Sequence, residues 1–154
     1  AIKFKNAFGE TFKEPQERIM ENIATVPGTD GKKMSKSYGN TIPLFASKDE
    51  ITKAVMSIVT DSTGDKPENV YAIHQLFRDE ADLAKLYEEH QGKYKNLKEA
   101  LVEDIEALIA PMREVRNAIT DKDVKQVLKE GAVRARAIAS AKMTVVRGRV
   151  GVIL

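Results

Sequence analysis

The sequence predicts a mainly α-helical fold: a helical bundle preceded by a loop-rich segment over residues 1–45. Three observations predict it. Apolar residues recur at Leu97, Leu101, Ile105, Leu108, Met112, Val115 and Ile119, in steps of four and three that hold them on one helical face. Ser47-Lys48-Asp49-Glu50 and Thr120-Asp121-Lys122-Asp123 are both capping boxes, in which a hydroxyl and a carboxylate satisfy amides at a helix start. From Glu10 to Phe45, by contrast, Pro15, Pro27, Gly28, Gly31, Gly39 and Pro43 break periodic structure rather than extend it.

Taken in order, Ala1–Phe8 reads as the tail of a helix stopped by Gly9. The first residue is not methionine, so the chain is expected to be cut from something longer. Residues 10–45 form a long loop region with a short segment around Arg18–Ile23, and a loop of that length is usually functional or mobile. The Ser47 box starts a helix to about Ser57, with Ile51, Val55 and Ile58 on one side. Asp61–Pro67 is a loop. Glu68–Arg78 is the next helix, with Val70, Ile73 and Phe77 as its apolar face; Asp79 caps another that runs to Gly92. The stripe from Leu97 to Ile119 is a long amphipathic helix, and Pro111 within it lacks a donor for the Ala107 carbonyl, so a kink or restart is expected there. Thr120 starts a short helix that Gly131 ends. The last helix spans Ala132–Arg147 with Val133, Ala137, Ile138, Ala141 and Val145 inward, and Gly148 and Gly151 loosen the tail. Ile58–Thr60 and the last residues are the only weak strand candidates.

With 154 residues the chain can bury roughly two-thirds of its unfolded surface, so a core without staples is feasible. There is no cysteine, which excludes disulfides, thiolate zinc sites, iron–sulfur clusters and a cysteine nucleophile, and fits a reducing cytoplasm. His74 and His90 lie sixteen apart, without metal-ligand spacing. No apolar run spans a membrane, and no signal peptide opens the chain. The net charge of +2 is unevenly spread. Residues 79–106 hold nine acids against four lysines; residues 122–149 hold eight bases against two acids, a +6 stretch suited to phosphate or nucleic acid.

The segment Gly31-Lys32-Lys33-Met34-Ser35-Lys36-Ser37-Tyr38-Gly39-Asn40 carries the chemistry. Three ammonium groups fall within five residues, with two hydroxyls between glycine hinges. The lysines are movable point charges for phosphate oxygens, Ser35 and Ser37 add donors, and Met34 can anchor the loop to a core. This is a hinged cationic loop able to close over a polyphosphate. A solvated basic loop has the same composition.

Lys33-Met34-Ser35-Lys36-Ser37 matches the second signature of class I aminoacyl-tRNA synthetases. Residues 26–42, with a Pro-Gly-x-Asp-Gly lead-in and a Tyr-x-Asn-x-Ile exit, resemble the tryptophanyl-tRNA synthetase version. Gly131-Ala132, Ala135-Arg136 and Ile138-Ala139 resemble the final helix of that family. The family's first signature, His-Ile-Gly-His, is absent, since Ala72-Ile73-His74-Gln75 does not match it. The resemblance therefore implies the C-terminal part of such an enzyme. Residues 1–45 would be the end of a Rossmann-type catalytic domain with the lysine loop, and residues 46–154 a helical anticodon-binding domain.

The activity the resemblance implies is a two-step ligation. Tryptophan's carboxylate attacks the α-phosphate of ATP, which carries Mg2+ with it; pyrophosphate leaves; the adenylate then esterifies the tRNA 3′ end. Lys36 and Lys33 are the implied catalytic residues, stabilising charge on the leaving pyrophosphate, and Lys33, Met34, Ser35, Lys36 and Ser37 the implied nucleotide-binding set. Asp30 is expected to shape the turn through an Asx-type bond. The parent would be a cytoplasmic homodimer with tRNA, ATP and tryptophan as partners, and the piece alone would be inactive. A tyrosine-specific synthetase and a stand-alone, non-catalytic helical RNA-binding module are the alternatives.

The remaining polar residues read as structural. His74 is a packed or capping histidine, and His90 complements a helix C-terminus. Glu88/Glu89 and Glu103/Asp104 are exposed helix charges. Arg136 and Arg147 are eleven apart, within about 20° on one helical face, and with Lys125 and Lys129 could meet tRNA phosphates.

Overall fold

The computed structural model describes residues 1–19, 25–60 and 66–152. It contains six α-helices among them: α1 (Ile2–Phe8), α2 (Lys48–Met56), α3 (Glu68–His74), α4 (Glu80–Glu89), α5 (Tyr94–Ala118) and α6 (Asp121–Val150). A single 3₁₀ turn, Lys36–Tyr38, interrupts the leading loop. The described residues form no strand, only an isolated antiparallel bridge between Pro27 and Lys33, so Ile58–Thr60 is not a strand. Most of the expected segment at Arg18–Ile23, most of the Asp61–Pro67 loop and the final two residues lie outside the described residues.

Both capping boxes form. Ser47 Oγ accepts from the Glu50 amide while Glu50 reaches back to the Ser47 amide at 2.9 Å, and Thr120 and Asp123 repeat the pattern at α6. Asp79 caps α4 by accepting from the Asp82 amide at 3.0 Å. Each such cap contributes about 1 kcal/mol. α3 is shorter than expected, ending at His74, with turns through Phe77.

The chain divides into two compact units. The larger, Ile19–Arg116, has a continuous apolar core of Ile51, Val55 and Ile58 beside Val70 and Ile73 of α3 and Leu101, Val102, Ile105 and Ile109 of α5. Leu83 and Tyr87 of α4 pack with Leu97 in a second cluster. Full burial contributes about 1.5–3 kcal/mol for each large aliphatic side chain. The smaller unit joins residues 1–18 to residues 117–154. In it Lys142 Nζ donates to the Thr11 carbonyl at 2.9 Å, Arg149 donates to the Phe8 carbonyl at 3.2 Å, and the Phe4 ring packs tilted against Phe8 and edge-to-face with Phe12.

Several sequence expectations are corrected here. Of the kink or restart expected at Pro111, the restart is absent: α5 runs through Pro111 to Ala118. Its buried row is Leu97, Leu101, Ile105, Ile109, while Leu108, Met112, Val115 and Ile119 are exposed. The apolar stripe in the sequence is thus longer than the face that the larger unit covers. Gly131 does not end a helix: α6 is one 30-residue helix, capped by Gly151. Gly costs about 1 kcal/mol relative to Ala inside a helix, and the alanines at 132, 135, 137, 139 and 141 carry the helix past it. α6 buries no residue, so Val133, Ala137, Ile138, Ala141 and Val145 do not face inward.

Candidate functional site

The lysine loop of the larger unit is built on a tight reversal. The Met34 amide donates to the Val26 carbonyl at 2.9 Å and the Gly28 amide to the Lys32 carbonyl at 2.6 Å. Between them the Gly31 amide bonds the Gly28 carbonyl at 3.0 Å, and Gly31 takes φ 78°, which a side-chain-bearing residue adopts only with strain. Asp30 Oδ1 accepts from the Lys32 amide at 3.0 Å, the Asx-type bond expected from the sequence.

Asn40 closes the loop. Only 3% of its surface is exposed, and its carboxamide makes three bonds. Oδ1 accepts from the Ser35 amide at 2.8 Å, and Nδ2 donates to Asp30 Oδ1 at 2.7 Å and to the Lys33 carbonyl at 3.2 Å. Its own carbonyl accepts from the Thr29 amide at 2.9 Å. The Asn40 bond is the leading reason that the Asp30 carboxyl is held below the ordinary carboxylate range. Gly28 lies against this side chain: a Cβ there would stand 2.3 Å from Asn40 Nδ2. Asn69 supports the loop from α3. It donates to the Val59 carbonyl at 2.9 Å, and the Val59 amide donates to the Thr29 carbonyl at 2.8 Å.

The residues singled out in the sequence take distinct places on this frame. Lys32, Lys33 and Lys36 are exposed, and none of the ion pairs among the described residues involves them. Lys33 lines an open hollow of about 580 Å³ with Asp30, Lys32 and Tyr38; Lys36 is not among its lining residues but begins the 3₁₀ turn. Ser35 is the N-cap of that turn, accepting from the Ser37 amide at 3.3 Å, and the two serine hydroxyls bond each other at 2.8 Å. Met34 is half-buried and points into an apolar cavity of about 240 Å³ beside Val26, Ile42, Ile73, Phe77 and Ile105.

A second polar cluster lies in the larger unit. His74 is fully buried; its Nε2 is 2.7 Å from Asp104 Oδ2 and its Nδ1 3.3 Å from the Tyr87 hydroxyl. Arg78 grips the same carboxylate with two donors, one at 2.8 Å. A neutral imidazole protonated on Nε2 satisfies both neighbours, donating to Asp104 and accepting from Tyr87. Burial pushes the His74 pKa below its usual value, against the pull of Asp104. Burial also disfavours ionised Asp104, but its bonds to Arg78 and His74 outweigh that and leave its pKa lowered. His74 is thus the packed histidine the sequence suggested, and Asp104 is not an exposed helix charge. His90 occupies the C-cap of α4, and Glu88, Glu89 and Glu103 are exposed.

Of the bases on α6, Lys142 and Arg149 are engaged with backbone carbonyls, whereas Lys125, Lys129, Arg136 and Arg147 are exposed. Among the described residues no group of three or more His, Asp or Glu could hold a metal ion, and no helix is long and apolar enough to cross a membrane.

Comparison with known proteins identifies the family. A family model described as tRNA synthetases class I (W and Y) matches residues 1–135. The tryptophan–tRNA ligase of Campylobacter jejuni (strain RM1221) is 40% identical over 98% of this chain and 51% of its own length. The tryptophan–tRNA ligase of Rhodopirellula baltica is 39% identical over 92% of this chain and 48% of its own. The crystal structure of Campylobacter jejuni tryptophanyl-tRNA synthetase, complexed with ADP and tryptophan, superposes with a TM-score of 0.77 at 37% identity. It covers 98% of this chain and 51% of that one. The chain thus spans about half the length of the relatives it matches.

Proposed function

Because this chain belongs to the class I tRNA synthetases of the tryptophan and tyrosine group, we propose that it is the C-terminal part of a tryptophan–tRNA ligase, supplying the loop that handles the triphosphate of ATP. One observation carries the reading: a hydrogen-bonded loop frame presents Lys33 and Lys36 with no acidic partner among the described residues. Cations left without an ion-pair partner, Lys33 beside an open hollow and Lys36 at the start of the 3₁₀ turn, favour an anionic ligand. The relatives' tryptophan specificity, and the ADP and tryptophan bound in the Campylobacter structure, support tryptophan over tyrosine.

In this reading the amino-acid carboxylate attacks the α-phosphate, and negative charge grows on the departing pyrophosphate. Lys36 and Lys33 meet that charge, so their electrostatic contribution is larger in the transition state than in the ground state. Ser35 and Ser37 keep the 3₁₀ turn in shape, and Met34 tethers the loop to the apolar core as it moves. The donor set fits phosphate oxygens, being two exposed ammonium groups, while the Ser35 and Ser37 amides are bonded within the loop; Mg2+ travels with the nucleotide rather than on ligands from this chain.

The proposal assigns residues 1–45 to the end of the catalytic domain and residues 46–154 to an anticodon-binding helical domain. The exposed bases of α6 there meet the tRNA backbone. The complete enzyme is a cytoplasmic homodimer, and the 154-residue chain alone is inactive because positioning of tryptophan and adenine needs the other half.

Tryptophan-dependent ATP–pyrophosphate exchange tests this. It should be absent for the chain alone and present in a chimera in which the chain replaces the matching half of the Campylobacter relative. Exchange by the chain alone, or a folded chimera that gives no exchange, would contradict the proposal.

A further inference from the structure

We propose that Asn40 is the positioning residue of the lysine loop, and that it holds the Lys33 and Ser35 backbone so that the two catalytic lysines form a preset cationic pair for a polyphosphate. The inference rests on the polyphosphate reading of the loop given above.

Its basis is the pattern of contacts. One buried side chain reaches the carbonyl of Lys33 and the amide of Ser35, the residue that caps the turn beginning at Lys36. One side chain therefore holds the backbone of Lys33 and that of Ser35, the residue before Lys36. Three lysines within five residues repel one another, so an unrestrained loop would spread them apart. Order imposed before the ligand arrives is entropy not lost on binding.

Asparagine suits this position chemically. It offers one acceptor and two donors on a single short arm, and all three are used here. Aspartate would keep the acceptor for Ser35 but lose both donors and set a second carboxylate beside Asp30. Alanine would leave the Ser35 amide, the Lys33 carbonyl and Asp30 without their partner. Gly28 gives an independent handle, since a Cβ at that position would collide with Asn40 without changing its chemistry.

The test is a titration of the isotope-labelled 154-residue chain with inorganic pyrophosphate, following the amides of Lys33, Ser35, Lys36 and Ser37. The variants are Asn40→Asp, Gly28→Ala and the exchange Asp30→Asn/Asn40→Asp, which restores a donor–acceptor pair between the two positions. Asn40→Asp and Gly28→Ala should each weaken binding about tenfold, and the exchange should recover at least about half of that loss on a logarithmic scale. Asn40→Asp also adds a negative charge that the exchange removes, and the exchange does not restore the bond to the Lys33 carbonyl. Rescue therefore supports the proposal only together with weakened binding by Gly28→Ala, which adds no charge, and a Gly28→Ala chain that binds as wild type does overturns the proposal. Wild-type binding matched within about twofold by both single variants overturns it too, while leaving the polyphosphate reading intact. If pyrophosphate leaves the wild-type loop amides unmoved, the polyphosphate reading itself falls. Gly28→Ala keeps the test decisive should Asn40→Asp fold poorly.

Discussion

Replacing Lys98 by methionine should destabilise the larger unit out of proportion to the position's appearance in sequence. Lys98 lies on the core-facing side of α5 and is only 9% exposed. Its ammonium donates to the Met56 carbonyl at 3.0 Å and to the Ile58 carbonyl at 2.7 Å. These carbonyls lie at the C-terminal end of α2 and just beyond it, where helical backbone acceptors lack intrahelical partners and the helix dipole favours a cation. Each charge-assisted bond contributes about 1.5–3 kcal/mol. Burial, which holds the Lys98 pKa below its usual value, offsets part of this. The net cost of Lys98→Met is therefore about 2–4 kcal/mol, since two buried carbonyls lose their donor. Urea unfolding followed by circular dichroism gives the value, with Lys95→Met as control. Lys95 is exposed and makes only an i,i+4 pair with Glu99 at 3.6 Å, so its loss should cost less than about 0.5 kcal/mol. If Lys98→Met costs no more than the control, the argument for a buried lysine cap is wrong.

Other measurements test the remaining elements. His74 has a pKa lowered from its ordinary 6.5, first by burial, so the folded chain binds fewer protons there than the unfolded one. This contribution to stability is whole above about pH 6.5 and is lost as the pH falls towards the lowered folded value. His74→Gln should flatten the denaturant midpoint across that window, and an unchanged slope would show that the histidine is not buried neutral. On α6, Arg136→Ala/Arg147→Ala should weaken all tRNAs alike. If three or four phosphates are neutralised, the wild-type salt slope is about −2 to −3.5, and the double variant should flatten it. Filter-binding at several salt concentrations reads the effect, and identical slopes would return these arginines to a solvated face.

The parts legible in the sequence were those that local chemistry determines. Both capping boxes, the Asp79 cap and the Asx turn at Asp30 need partners only two or three residues away, and all of them form. The family was carried by a contiguous string, Lys33-Met34-Ser35-Lys36-Ser37, and the family model matches residues 1–135. What stayed hidden needed tertiary contacts. Asn40 is one polar residue among several until its partners at Asp30, Lys33 and Ser35 converge on it. Asp104 looks like a surface acid until His74, the last residue of α3, and Arg78, four residues beyond it, close on it. Lys98 breaks the apolar pattern of α5 because its target is the end of α2, 40 residues away. The errors at Gly131 and along Leu108–Ile119 share another cause. Helix-breaking tendency and apolar periodicity report what a segment could do alone, whereas the alanine-rich flanks and the extent of the core decide what it does.

The central claim is that the loop lysines act on charge that develops as pyrophosphate departs. Single-turnover formation of tryptophanyl-adenylate by the Campylobacter chimera carrying Lys36→Ala tests it most directly. The rate of the chemical step should fall by about 10²–10³, with the apparent affinity for ATP changed by no more than a few fold. An unchanged rate with a raised ATP KM would contradict the account, because it would make Lys36 a ground-state binding group only.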